Sequence, residues 1–347
     1  MSGSVANGTG SEVAVMAGVA LAHRAWLEIG GPEAEPFLQR LVTADLDALE
    51  RGVAAPCALL SPQGKVLHEF LIMRASNDTA RGPDDDAAAG EASGFRIDVS
   101  RAFLPDLARR LMMYRLHAPV TFTPRPGGAV RAAWDEDAPY RDARFSSGVG
   151  RLYPAEGGVA GAPLLGEWTR RRIAGGVAEI GTDYPADTYF PHDLGLAGDG
   201  ATGTTRGVGL HKGCYVGQEV VSRMHHRGTG RRRVAILHAD GPFPKPGTPV
   251  EAGGRPCGTL GSSTGDAPFL ALAVVRIDRA GEALAAGDRV TVAGLPVTPR
   301  VPPGAGWSFH TEPRSPDREP GADSANAPAD GVSAPADGVP SAPSPSP

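Results

Sequence analysis

Between Arg233 and Arg300, six short apolar runs are separated by Gly- and Pro-rich breaks. This rhythm limits the C-terminal part of the chain to few folds. The runs occupy residues 234–237, 248–250, 257–260, 271–276, 289–292 and 297–300. Short strands at this spacing, joined by turn residues, predict a small all-β barrel over residues 231–305. Residues 306–347 are mostly Pro, Ala, Ser and Asp, with Ala-Asp-Gly-Val occurring twice. Such a tail buries too little apolar surface to offset its ordering entropy and is expected to be disordered.

The upstream part is built differently. Residues 21–29 read as a strand stopped by Gly30-Gly31-Pro32, and residues 33–42 as a helix with Phe37, Leu38, Leu41 and Val42 on one face. Residues 57–60 and 66–73 flank the turn Ser61-Pro62-Gln63-Gly64-Lys65 and predict a hairpin. The acidic, alanine-rich residues 75–94 extend a second hairpin as a long loop. Phe95, Ile97 and Val99 alternate with Arg96 and Asp98 in another strand. Ser100 is then a candidate N-cap for a helix carrying Phe103, Leu107, Leu111 and Tyr114, with Pro105 in its first turn. Strand, helix, hairpin, strand, helix is an α+β pattern with an antiparallel sheet. A second unit of the same kind begins near Val120 and includes a helix over 164–175, whose Arg170-Arg171-Arg172 is expected on its solvated face. The organisation is therefore a flexible 1–17, α+β units over 18–119 and 120–230, the barrel over 231–305 and the tail over 306–347.

Composition narrows the function. A net charge of -5 argues against direct nucleic-acid binding, although residues 225–233 are locally basic. Residues 13–22 are apolar and end in small residues, yet no Lys or Arg precedes them, unlike a signal peptide. No apolar run approaches the roughly 20 residues needed to span a bilayer. A cytoplasmic location follows as the expectation. The cysteines at 57, 214 and 257 form no C-x-x-C pair. Three thiols also fall short of the four that usually hold an iron–sulfur cluster.

Residues 212–219, Lys-Gly-Cys-Tyr-Val-Gly-Gln-Glu, concentrate chemistry. A helix is expected over 218–225. Gly213 and Gly217 disfavour helix upstream, so Cys214 falls on a turn before a helix start. There the free amides and Lys212 would stabilise a thiolate. An inert buried cysteine, packing glycines and a Glu219 that merely complements the helix dipole are the plainer alternative.

These residues resemble the signature of the YgfZ family, folate-binding proteins that assist iron–sulfur enzymes and are related to the aminomethyltransferase (T-protein) of the glycine cleavage system. The resemblance extends over about residues 18–305. It includes Phe37-Leu38-Gln39, Thr43-Ala44-Asp45, Arg172-Ile173-Ala174-Gly175-Gly176-Val177, Phe190-Pro191-His192-Asp193, Gly207-Val208-Gly209-Leu210-His211 and Arg223. It implies two α+β units and a barrel around a central opening that takes tetrahydrofolate or a related folate. Tyr189 and Phe190 are candidates for its rings, and Arg223 and Arg227 for its glutamate tail. It further implies an accessory role in assembly, insertion or repair of iron–sulfur clusters rather than classical enzyme activity. Cys214 would be the working residue, Lys212 would stabilise its thiolate, and Gly213, Tyr215, Gly217, Gln218 and Glu219 would shape the loop. Partners would be iron–sulfur carrier or scaffold proteins or client enzymes, with a cluster held transiently.

T-proteins carry paired aspartates after the hairpin turn where this chain has His68-Glu69, and Phe-Ile where it has Cys214-Tyr215. Aminomethyl transfer is therefore not expected. The alternative is another folate-dependent one-carbon transferase, acting on an acceptor such as a tRNA, with His68 and Glu69 as acid and base. A metal-binding module of His211, Cys214, His225 and His226 is a third reading, although its spacing fits no standard zinc pattern.

Overall fold

The computed structural model describes residues 18–75, 94–134, 138–146, 148–154, 164–197, 207–228 and 230–309. Strands β1 (Gly18–Ala20) and β2 (Arg24–Gly30) lead into α1 (Ala34–Gln39), then the hairpin of β3 (Val53–Leu60) and β4 (Val66–Arg74). Next come β5 (Phe95–Ser100) and α2 (Leu104–Arg115), and four short strands, β6 (Thr121–Arg125), β7 (Arg131–Ala133), β8 (Tyr140–Asp142) and β9 (Gly150–Leu152). Helices α3 (Leu165–Ala174) and α4 (Gln218–Arg227) complete this part. Its strands form one nine-stranded sheet in the order β1-β7-β9-β8-β3-β4-β5-β2-β6. Only β3 and β8 pair in parallel among these neighbours.

Both faces of the sheet are covered. Phe70 and Ile72 of β4 join Leu27, Ile29, Ile97 and Val99 beneath Phe37 and Leu38 of α1 and Leu107 and Leu111 of α2. Leu71 and Met73 point the other way, into a cluster with Trp26, Tyr140, Tyr153 and Trp168. This is the period-two alternation of a strand with a layer on each side.

The barrel closes as β10-β13-β12-β11-β14-β15, from β10 (Arg232–Ala239), β11 (Pro249–Ala252), β12 (Arg255–Ser263), β13 (Phe269–Arg276), β14 (Val290–Val292) and β15 (Leu295–Arg300). The α+β sheet with a C-terminal barrel is the fold class expected from the sequence.

Several local expectations are corrected. Helix α5 (Ile277–Ala285) interrupts the all-β pattern after β13. Its buried face is Ile277, Ala280 and Gly281, a helical spacing of mostly small residues that apolar periodicity does not register. Ser100 caps nothing with its side chain; α2 starts after Phe103, whose amide bonds to the Ser100 carbonyl. Tyr114 is exposed at the end of α2. Arg172 is buried rather than solvated. Strand β6 pairs with β2, so the sheet runs across the 119/120 boundary drawn from the sequence. Residues 306–309, assigned to the tail by composition, pack on the barrel through Trp307 and Phe309. Residues 1–17, 76–93 and 310–347, with the expected flexible terminus, acidic loop and remaining tail, lie outside the described residues.

Candidate functional site

The signature loop is bolted to the first hairpin and to the segment after α1. The amide of Gly209 bonds to Thr43 O at 2.8 Å, and Lys212 Nζ donates to Val42 O at 2.8 Å and Ala44 O at 2.6 Å. Burial lowers the pKa of Lys212. The Lys212 ammonium lies 5.3 Å from the Tyr215 ring centroid, and Tyr215 is buried with its hydroxyl unpartnered. Beneath them sits Cys57, fully buried, its Sγ accepting from Ala44 N at 3.4 Å. Burial raises the Cys57 pKa, against a smaller opposing effect of the Lys212 charge. The loop thus turns Lys212 and Tyr215 inward, and Lys212 serves backbone carbonyls rather than the Cys214 thiol.

The two glycines do different work. Gly217 has φ +82°, and a Cβ there would lie 2.6 Å from Ser61 O. Glycine is required by both backbone angle and space, because the start of α4 presses on the β3–β4 turn. Gly213 has a negative φ and nothing within 4 Å of a would-be Cβ. Between them Cys214 is the exposed cysteine of the three, in a shallow depression with Pro62, Gln218, Ser222, Arg223 and His226. Arg223 is engaged there by Glu219 at 2.6 Å, one helical turn away.

A separate cavity opens between the sheet, the segment after α3 and the start of the barrel. Its wall includes Glu69, Arg144, Phe145, Tyr184 and Trp307. It shares no lining residue with the Cys214 depression. Tyr189, Phe190, Arg223 and Arg227 do not line it. Lys65 Nζ sits 3.4 Å over the Phe190 ring, Tyr189 packs beside Tyr184, and Arg227 is exposed at the end of α4.

Behind the cavity lies a buried ionic lattice. Arg24, Arg144, Arg151 and Arg172 meet Glu69, Asp98, Asp142, Glu179 and Asp183. His23 adds a contact to Glu179, its Nε2 lying 3.4 Å from Oε2. Arginines 144 and 151 hold Asp142 down to about 2 despite its burial. Glu69 is the group that yields: burial pushes its pKa up, more than Arg144 pulls it down. Its Oε2 accepts from Ile180 N at 3.2 Å and Tyr184 OH at 3.4 Å. Its Oε1 faces Arg144 Nη1 at 3.6 Å, too far for a hydrogen bond, and neither atom has a hydrogen-bond partner.

His68 points to the other face of β4. Its Nε2 lies 3.0 Å from Asp106 Oδ2 and its ring stands edge-on to Phe103. Burial lowers its pKa to about 4, so it is neutral at pH 7. His68 and Glu69 are therefore not an acid–base pair. Nor do His211, Cys214, His225 and His226 make a metal centre: no group of three or more suitable donors is found among the described residues. Sequence reasoning missed Arg144, Phe145, Tyr184 and Trp307, which sit in no motif and meet only in three dimensions.

Comparison with known proteins fits this geometry. The crystal structure of glycine cleavage system aminomethyltransferase T from Bartonella henselae superposes with a TM-score of 0.60, covering 84% of this chain and 87% of that one at 14% identity. The chain has the aminomethyltransferase T fold. Residues 231–306 of this T-fold chain match the family of the CAF17 C-terminal beta-barrel domain. Among curated proteins, the mitochondrial iron–sulfur cluster assembly factor IBA57 of Mus musculus is 28% identical over 65% of this chain and 66% of its own length. The IBA57 homologue of Chaetomium globosum is 30% identical over 65% of this chain and 57% of its own. The human protein is 27% identical over 70% and 73%. The matched stretch thus spans under two thirds of the mouse and fungal relatives. All three relatives are mitochondrial by name, which overturns the cytoplasmic expectation. That expectation rested on missing signals, and missing signals specify no compartment. Among the described residues, no helix is long and apolar enough to cross a membrane.

Proposed function

We propose that the chain is an accessory protein of the YgfZ type, acting through Cys214 in assembly, insertion or repair of iron–sulfur clusters. The observation that carries this reading is the signature loop itself. Buried contacts of Lys212, Tyr215 and Gly217 hold the loop rigid while it presents one thiol to solvent, where a partner's cluster or sulfur can reach it. The names of the IBA57 relatives support the same role. The cluster is cargo here, exchanged with carrier or scaffold proteins or client enzymes. Replacing Cys214 by Ala and assaying a cluster-dependent enzyme in cells under oxidative stress tests the role. Full activity of that enzyme would remove Cys214 from the mechanism.

A folate in the neighbouring cavity belongs to the proposal. The orphaned atoms of Glu69 and Arg144 fit a pterin edge, which offers a donor and an acceptor side by side. Phe145, Tyr184 and Trp307 supply the apolar walls. A reduced folate held there would bring a one-carbon carrier and an electron-rich ring; Glu69 would hold or accept a proton at Oε1, and Arg144 would orient the ring. Glu69 also favours a second reading, a folate-dependent one-carbon transferase. Incubating the protein with labelled methylene-folate and cell extract tests it, and no transfer of label to any fraction would sink it.

A further inference from the structure

Trp307 is unlike the other tryptophans of the chain. Trp26, Trp134 and Trp168 are buried in the cluster behind the sheet, whereas Trp307 is only partly buried and borders the cavity. It sits on the segment after β15, where Pro302, Pro303 and Gly304 also reach the cavity wall. That segment is held at both ends. Gly176 has φ +68°, and a Cβ there would fall 2.4 Å from Pro302 Cβ, so the two strands of chain touch at van der Waals range. At the other end the Trp307 and Phe309 rings stand edge to face at 5.2 Å and rest on the barrel core. The indole is thus fixed at the cavity while part of its apolar surface remains uncovered.

Glu69 and Arg144 line the same cavity, and their Oε1 and Nη1 atoms lie 3.6 Å apart just behind its wall, shielded from solvent and without hydrogen-bond partners. Leaving such groups unmatched is costly, and a ligand that satisfies both recovers that cost. Resting on the folate reading and extending it, we propose that Trp307 is the stacking wall for a flat heteroaromatic ring whose donor–acceptor edge is met by Glu69 and Arg144. Trp307 would then set specificity by ring shape, while the polar pair sets it by hydrogen bonding. The barrel contributes to the site through this strap and through Arg233 and Val234 of β10, which ties ligand binding to a domain otherwise outside the sheet.

The test uses the full chain and three probes: 5-formyltetrahydrofolate, biopterin and adenosine. Binding is followed by calorimetry and by tryptophan emission. The expected result is binding of at least one probe with quenched emission, weakened roughly tenfold or more by Trp307→Ala and nearly retained by Trp307→Phe, which keeps an aromatic face but loses the quench. Circular dichroism of both variants guards against unfolding. Binding that ignores Trp307→Ala overturns the stacking role and leaves the folate reading standing. Trp307-dependent binding of adenosine alone supports the wall and sinks the folate reading. No binding of any probe overturns both.

Discussion

His68 and Glu69, neighbours in sequence, occupy opposite faces of β4: one is sealed against Asp106 of α2, the other borders the cavity. The chemistry open to each follows from that division. A buried, neutral histidine is a structural residue with a pH signature, whereas a buried acid beside the one guanidinium nitrogen that Arg144 leaves without a hydrogen bond can serve a ligand.

The histidine signature has a definite sign. With a folded pKa of about 4 against 6.5 when unfolded, His68 binds a proton in the unfolded chain first. Stability should therefore fall as pH drops from about 6.5 to 4, by up to about 3 kcal/mol from this group. Urea midpoints measured across that range should decline less steeply for His68→Gln than for the parent. Parallel curves would show that the ring is solvated in the native state.

Within the ionic lattice, neutralising different acids should have unequal effects. Asp142, held at about 2 by Arg144 and Arg151, leaves two buried cations short of charge when replaced by Asn. That change should cost about 3–5 kcal/mol. Glu69→Gln should cost less than the change at Asp142, since burial works against the charged form of Glu69. Denaturant unfolding of the two variants compares them directly, and equal losses would contradict the assignment of Glu69 as the yielding group.

The inward set of Lys212 separates it from the thiol. Lys212→Met should lose about 1–3 kcal/mol through its two carbonyl contacts. It should leave the rate of maleimide labelling at Cys214 undiminished. Native protein should label at Cys214 alone, since Cys57 and Cys257 are buried. A tenfold slowing in the variant would mean that the ammonium reaches the thiol after all.

The signature glycines should differ sharply. Gly217→Ala meets both an unfavourable φ and the Ser61 carbonyl, and should cost at least about 1–2 kcal/mol. Gly213→Ala should fall within about 0.5 kcal/mol of the parent. Thermal unfolding of the pair distinguishes them, and equal shifts would refute the clamp on the β3–β4 turn.

What the sequence disclosed followed periodicity and turn chemistry. The hairpin around Ser61–Lys65, helix α4 and the barrel strands were all legible, because their patterns are local. Arg96 and Asp98, which alternate with apolar neighbours in β5, are both fully buried. Alternation marks two faces without saying what covers them. Cys214 was legible because its loop is compact in sequence. The cavity was not, because Glu69, Arg144, Tyr184 and Trp307 converge from four distant segments. Helix α5 escaped because its buried side is mostly alanine and glycine.

The lattice behind the cavity also constrains how the chain is made. Asp183, which pairs with Arg172, also accepts from the amides of Glu179 and Ser262, both at 2.8 Å, and Arg172 itself bonds to the Ser262 hydroxyl. A nascent chain leaves the ribosome with these charged groups roughly eighty residues ahead of their last partner. Until strand β12 emerges, the sheet's charged face lacks its keystone, and docking of the barrel is the event that locks it.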